Sequence, residues 1–126
     1  MKVKVKGLDP KLTIHFTRFC CENLPAWPKS IEIVAEDKIV NDKSGLCIDI
    51  DEDNYLILIS KKNKNISQIY TSIAHEMVHV KQFMYDNLGE LLDKGYNYDT
   101  CWWEQEARER SEKILLEFVK KFQRKS

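Results

Sequence analysis

Two histidines and a glutamate occupy one five-residue stretch, His75-Glu76-Met77-Val78-His79. On an α-helix, residues four apart lie one above the other with Cβ atoms about 5 to 6 Å apart, so both imidazoles can bind one Zn²⁺. Glu76 then lies beside the ion without binding it. Zinc lowers the pKa of its bound water to about 7, and a nearby carboxylate can take the proton as that water attacks a carbonyl. The spacing therefore predicts a hydrolytic metal site.

Chance is a poor explanation for this pattern. With histidine at roughly 2% and glutamate at roughly 6% of positions, well under about 1% of chains this long would contain it by coincidence. The alternative, a helix that carries two histidines for unrelated reasons, is therefore disfavoured.

The residues around the motif have the pattern of a half-buried helix. Asn65 is a residue type that caps helix N-termini, and the apolar residues after it recur at steps of three and four. These are Ile66, Ile69, Tyr70, Ile73, Met77, Val80 and Met84. No Gly or Pro occurs before Gly89, so we predict a helix from about Ile66 to about Asn87. His75, His79 and Gln82 fall on a different face, where both imidazoles can converge on one ion.

A catalytic zinc site usually has three protein ligands and one open position. The remaining histidine of the chain, His15, lies far upstream in another element, and we expect it to be an exposed or internally satisfied helix residue. The third ligand is better sought among carboxylates, and the stretch from Trp102 to Arg108 offers Glu104 and Glu106.

Periodicity separates these two glutamates. From Ala107 onward, small and apolar residues trace one face of a second helix, and Glu104 lies on that face. The other members of the face are Ser111, Ile114, Leu115, Phe118 and Phe122. Glu106 is about 200° around the axis and has Arg110 one turn later as a partner. Since a buried carboxylate needs a cation to neutralise it, Glu104 is the preferred third ligand. The alternatives are Glu106, Cys101, Asp99 and Asp93.

The two stretches, His75 to His79 and Glu104-Gln105-Glu106-Ala107, together resemble the HExxH zincin metallopeptidases, most closely their minimal single-domain members with a glutamate as third ligand. The resemblance implies a zinc metalloendopeptidase in which His75, His79 and Glu104 bind one Zn²⁺ and Glu76 is the catalytic base. It also implies an α+β, minimal zincin-like fold. That fold has a small twisted mixed sheet with a crossing helix, then the active-site helix and a C-terminal glutamate helix.

Two features depart from the family pattern. Arg108 stands where many relatives have Asp or Asn as the hydrogen-bond partner of a zinc-binding histidine, so that partner is not assigned. Gln82 and Phe83 stand where longer zinc peptidases begin a glycine-spaced extension with a third histidine, which excludes the three-histidine branch.

The order of the upstream strands and helices can be predicted from the residue pattern alone, without the family resemblance. Alternating valine and lysine predicts a strand over Lys2 to Lys6, and Asp9-Pro10 resembles the start of a helix that runs to about Leu24. Three further strands are predicted, over Ile31 to Val34, Leu46 to Ile50 and Tyr55 to Ile59. The predicted order is strand, helix, three strands, helix, helix, with a linker from Leu91 to Thr100 between the last two helices.

For several other side chains the sequence gives weaker evidence of a role in the site. Tyr96 and Tyr98 in the linker are candidates to stabilise the oxyanion of the reaction, although loop tyrosines more often serve packing. Trp102 and Trp103 are expected in the core or the cleft wall. In the zincins the edge strand beside the cleft binds an extended substrate, a role that the resemblance assigns to Leu46 to Ile50.

Composition fits one domain over residues 1–126. Hydrophobic residues make up 43% of the chain, and 20 basic residues balance 20 acidic ones, without the broad basic surface of a nucleic-acid-binding protein. The four cysteines, Cys20, Cys21, Cys47 and Cys101, have no Cys-x-x-Cys spacing, which favours a reducing compartment. No apolar run reaches transmembrane length. We therefore expect a cytoplasmic monomer without membrane or nucleic-acid partners.

The expected partner is a protein or peptide substrate, and small intracellular relatives include enzymes that cleave a regulatory protein. The competing hypothesis is a non-catalytic module in which zinc stabilises a protein-interaction surface, and a third is a metal-free helical interaction domain. Glu76 distinguishes the peptidase from the zinc-stabilised module, because a structural zinc site does not require an unligated carboxylate beside the ion.

Overall fold

The structure is a computed structural model that describes residues 1–51, 53–95 and 101–125, with side chains of the last helix up to Lys121. The strands are β1 (Lys2–Lys6), β2 (Ser30–Glu36), β3 (Gly45–Asp51) and β4 (Asn54–Ser60). The helices are α1 (Pro10–Asn23), α2 (Ile66–Tyr85), α3 (Leu88–Asp93) and α4 (Trp102–Lys125), and a 3₁₀ turn spans Val40–Asp42. Within the described residues, no helix combines the length and the apolar character needed to cross a membrane.

The four strands form one mixed sheet in the order β1-β2-β4-β3. Helix α1 connects β1 to β2, which are parallel as such a crossover requires, and β2 is also parallel to β4. A tight turn at Asp51 makes β3 antiparallel to β4, and the Asp51 carboxylate accepts hydrogen bonds from the Asp53 amide and the Asn54 side chain. Strand β3 is therefore an edge strand. The predicted α+β class and mixed sheet are confirmed.

The predicted elements lie close to the observed ones. The bounds of β1 are as predicted, the other three strands extend one or two residues further, and α2 ends at Tyr85, two residues before the predicted end. The linker prediction was wrong at its start, because α3 (Leu88–Asp93) occupies its first residues. Asn87 separates α3 from α2 by adopting a left-handed conformation (φ 58°), which asparagine tolerates better than most residues.

The core lies between one face of the sheet and helices α1 and α2. Alternate residues of the central strands are buried on that face: Ile31, Ile33 and Ala35 of β2 and Tyr55, Ile57 and Ile59 of β4. Helix α4 covers the side of α2 that faces away from the sheet, and its Phe118 ring lies 4.9 Å from that of Phe16. Since α2 is covered on both sides, polar residues on its second face are buried too.

The start of α2 is fixed by a capping box. The Asn65 side-chain oxygen accepts a hydrogen bond from the backbone N–H of Gln68, and the Gln68 side-chain oxygen accepts one from the backbone N–H of Asn65. Each bond is 2.9 Å long. The predicted N-cap is confirmed. Together these bonds satisfy two of the donors that a helix start leaves without partners. Ile66 was predicted to lie on the buried apolar face of α2, and this prediction was wrong, because Ile66 is exposed.

Replacing Asn65 tests how much this cap contributes. Asn65→Ala should lower the free energy of unfolding by about 1 kcal/mol, because the Gln68 backbone N–H loses the side-chain oxygen that accepts its hydrogen bond. Urea titration followed by circular dichroism measures the change, with Lys62→Ala in the preceding exposed loop as control. An Asn65→Ala midpoint equal to that of the control would contradict this assignment.

Candidate metal centre

Three side chains from two helices meet at the α2–α4 interface. His75 and His79 come from successive turns of α2, with ring centroids 5.0 Å apart, and Glu104 comes from the first turn of α4. His75 Nε2 lies 2.6 Å from Glu104 Oε1, and His79 Nε2 lies 3.3 Å from Glu104 Oε2. One ligand atom from each residue can be chosen so that all three lie within 4.8 Å of one another. The three predicted ligands therefore form a group that can hold a metal ion.

The donor set and its surroundings fit a small divalent cation. Zinc bonds of about 2.0 to 2.2 Å separate neighbouring ligand atoms by about 3 to 4 Å, so only small side-chain shifts are needed. His79 is 1% exposed and Glu104 is 6% exposed, while His75 reaches the surface. Glu104 Oε2 is buried and makes no hydrogen bond, its contact with His79 being an ion pair only. A buried oxygen of this kind is well suited to a cation.

The charges at the centre are arranged to keep Glu104 ionised. Burial alone would raise the pKa of Glu104, but the close contacts and positive charge of His75 and His79 outweigh it and lower the pKa to about 2. For His79, burial lowers the pKa, and the Glu104 and Glu76 carboxylates more than reverse that effect. A bound cation would take the place of the ring protons, as metal ions do at histidine sites.

Glu76 lies next to this group but is not part of it. Its carboxylate is 4% exposed, Oε1 has no hydrogen-bond partner, and burial raises its pKa, an effect that His79 and His75 oppose. It lines a cleft of about 360 Å³ together with His75 and Glu104. Residues 43–45, which lead into β3 and include its first residue, also line the cleft. Glu76 therefore faces a space that can receive a ligand.

Gly45 of β3 lies directly against the Glu76 side chain. A Cβ atom built on Gly45 would lie 2.8 Å from Glu76 Oε2 and 3.1 Å from its Cγ. Only a glycine therefore fits here without displacing the carboxylate. Gly45 was not predicted as a site residue, because nothing local in the sequence indicates which helix residue a strand will meet.

The alternative ligands do not join the cluster. Glu106 instead binds Lys81 at 3.2 Å, the Gln82 side-chain amide at 2.8 Å and Arg110 at 3.6 Å. The ion pair between Glu106 and Arg110 was predicted, whereas the contacts of Glu106 with Lys81 and Gln82 of α2 were not. Within residues 1–51, 53–95 and 101–125, only the His75, His79 and Glu104 group meets the geometry of a metal site, so Cys101 and Asp93 are excluded from it. Asp99 lies outside the described residues.

Other predicted residues have mixed outcomes. His15 is exposed on α1 as expected, with its ring 5.4 Å from that of Phe118. Trp103 is in the core at 2% exposed, but Trp102 is half exposed. Tyr96 and Tyr98 lie outside the described residues.

One hydrogen-bond partner of the centre was not identified from sequence. Arg108, at the family position for a histidine partner, is exposed, whereas Gln82 of α2 is buried with Oε1 2.8 Å from His79 Nδ1. The sequence did contain a sign of this hydrogen bond, since Gln82 follows His79 by three residues and such residues are neighbours on a helix face.

Comparison with known proteins gives no relative: no family model, curated protein or solved structure matches the chain. The likeness to the zincins therefore rests on the motif residues and on the order of the elements.

Metal binding tests the centre directly. The wild-type chain should bind one Zn²⁺, and His79→Ala should weaken binding by more than about a hundredfold. Loss of a residue that only orients a metal ligand lowers metal affinity about 10- to 100-fold, and loss of a ligand itself should cost more. Competition with a chromophoric chelator measures the affinity. His15→Ala is the matched control, since it removes the one histidine outside the centre. Equal affinities of the two variants would contradict the assignment.

Proposed function

We propose that the chain is a zinc metallopeptidase that hydrolyses peptide bonds. The observation that carries this proposal is the Glu76 carboxylate, which is buried, has an oxygen without a hydrogen-bond partner, faces the cleft and stands outside the ligand group. A metal site with an adjacent unligated carboxylate has the two components that water activation requires.

His75, His79 and Glu104 would hold the ion. Two imidazoles and one carboxylate are the ligand types of catalytic zinc sites, which keep a fourth position open. When bound there, Zn²⁺ polarises a substrate carbonyl and makes water more acidic. Zinc is favoured over magnesium or calcium because those cations prefer sets of oxygen ligands.

Glu76 would act as the general base and then as the general acid. Its carboxylate would accept a proton from a water molecule in the cleft as the water oxygen bonds to the carbonyl carbon of the substrate. The carboxyl then gives that proton to the amide nitrogen as the C–N bond breaks, which leaves a free acid and a free amine. Burial supports this role, because the carboxylate is shielded from bulk water and its position is constrained by α2 and β3.

An extended segment of a protein is the substrate class that the cleft supports. The cleft is lined by the first residue of β3, and the outer edge of β3 has no neighbouring strand among the described residues. A peptide can add to such an edge through backbone hydrogen bonds, which selects extended and accessible segments over folded ones. A regulatory protein with an exposed segment meets this requirement.

The non-catalytic alternative is less well supported. A structural zinc site normally closes its fourth position with a protein ligand. In the part of the chain that the structure describes, no fourth histidine, cysteine or carboxylate completes the group. Two members of the group, His75 and Glu104, instead line the same cleft as Glu76.

The cysteines support a cytoplasmic setting. All four are free thiols, and Cys20 and Cys21 are buried in the core next to each other without forming a disulfide. Burial raises the pKa of both thiols, which keeps them protonated and unreactive. Such a core is compatible with a reducing compartment.

Glu76→Gln tests the catalytic role. The variant should retain its zinc affinity but lose about 10²- to 10⁴-fold in kcat/KM on a labelled unfolded protein, because the amide cannot accept the proton. Glu109→Gln on the exposed side of α4 is the matched control. Hydrolysis at the wild-type rate by Glu76→Gln protein, purified free of other peptidases, would refute the mechanism.

Gly45→Ala tests the close approach of β3. The added Cβ should displace the Glu76 carboxylate and reduce kcat/KM by at least about tenfold, with little effect on zinc affinity, since none of the three ligands moves. Gly89→Ala in α3 is the control, because its Cβ would meet no atom closer than 3.9 Å. If Gly45→Ala retained full activity, the space between Gly45 and Glu76 would not matter for the reaction.

A further inference from the structure

Gln82 makes three hydrogen bonds that use both ends of its side-chain amide. Oε1 lies 2.8 Å from His79 Nδ1, and Nε2 donates to the Trp103 carbonyl and to Glu106 Oε1, each at 2.8 Å. The side chain is 0% exposed. Such a fully bonded and buried amide has one orientation only.

The partners decide which way the amide faces. A backbone carbonyl and a carboxylate can only accept hydrogen bonds, so the end of Gln82 that faces Trp103 and Glu106 must be the nitrogen. The oxygen then faces His79 Nδ1, which must carry a proton in order to donate to it. In the neutral ring this leaves the lone pair on Nε2, the nitrogen that points toward Glu104.

The same contacts connect the two helices that supply the ligands. Trp103 and Glu106, the two residues of α4 that Gln82 binds, lie on either side of Glu104 in the sequence. Gln82 therefore determines the orientation of one ligand ring on α2 and also ties down the turn of α4 that carries the carboxylate ligand.

Glu106 is itself held in place by two cations. Lys81 binds it at 3.2 Å and Arg110 at 3.6 Å, and Lys81 is also paired with Asp86 at 2.7 Å. These pairs are partly buried, so they fix the carboxylate more firmly than a fully exposed ion pair would. A continuous path of hydrogen bonds and ion pairs therefore runs from Arg110 and Lys81 through Glu106 and Gln82 to His79.

We propose that Gln82 is the positioning residue of the metal centre and that Glu106 acts on the centre through it. Gln82 holds His79 in the tautomer that presents Nε2 to the cation, and Glu106 holds Gln82. This role takes the place of the Asp or Asn partner that the sequence lacks at Arg108. The inference rests on the metal site of the proposed function and is independent of whether peptides are hydrolysed.

Zinc affinity of Gln82→Met tests the inference. Methionine keeps a similar volume but donates no hydrogen bond and accepts only weakly, so affinity at fixed pH should fall about 10- to 100-fold. Gln105→Met, an exposed glutamine on α4, is the matched control and should bind zinc as the wild type does. Circular dichroism and urea titration show whether each variant is folded. A folded Gln82→Met protein with affinity within twofold of the wild type would overturn the proposal.

A double-mutant comparison tests the path through Glu106. Glu106→Ala alone should reduce zinc affinity severalfold, and in the Gln82→Met background it should cause no further loss, since its effect passes through Gln82. Equal losses in both backgrounds would show that Glu106 acts independently. Because Glu106 lies near the surface, this variant also keeps the proposal testable if Gln82→Met does not fold. Absence of any Glu106→Ala effect on affinity would then contradict it.

A ring-proton signal separates positioning from a general loss of stability. In zinc-loaded wild-type protein, ¹⁵N-edited NMR should show a slowly exchanging His79 Nδ1 proton, which Gln82→Met should lose while His15 stays unchanged. An equally protected proton in the variant would contradict the role of Gln82. Both readouts use zinc alone, so a wild-type chain that binds zinc without cleaving peptides would overturn only the proposed hydrolysis, whereas one that binds no zinc would overturn both.

Discussion

The structure depends most on the burial of the Glu104 carboxylate between α2 and α4, opposite His75 and His79. A carboxylate in such a place is strongly unfavourable unless positive charge accompanies it. Its contacts at 2.6 and 3.3 Å are both to imidazole nitrogens, which are atoms that can also bind a metal ion. A group that needs a cation for its stability is thus also the group that can bind one.

The fold supplies the conditions for this arrangement. Helix α2 is covered by the sheet on one side and by α4 on the other, which buries His79, Glu76 and Gln82 on a helix whose main apolar stripe faces elsewhere. The edge position of β3 brings Gly45 against Glu76 and leaves a cleft between them and the ligands. Helix α4 covers one side of the His75, His79 and Glu104 group, while Glu76 lines the open cleft.

Much of this could be predicted from the sequence, because the relevant signals are local. Spacing placed the histidines on one helix face, and periodicity on α4 placed Glu104 inward; the prediction that Glu106 faces solvent was wrong, because Glu106 is partly buried against α2. The remaining features depend on contacts between distant segments. Nothing near Gly45 indicates that its strand meets Glu76, and the Glu106–Arg110 pair gave no hint that Glu106 also binds Lys81 and Gln82 of α2. Helix α3 was missed because its six residues are too few to show a periodic pattern.

The most direct test of the central claim is a crystal structure of the zinc-loaded protein with anomalous data collected at the zinc absorption edge. The account predicts one strong peak bonded to Nε2 of His75, Nε2 of His79 and a carboxylate oxygen of Glu104, with Glu76 outside bonding distance and a fourth position occupied by solvent. A peak at another site, a fourth ligand from the protein, or direct coordination by Glu76 would contradict it.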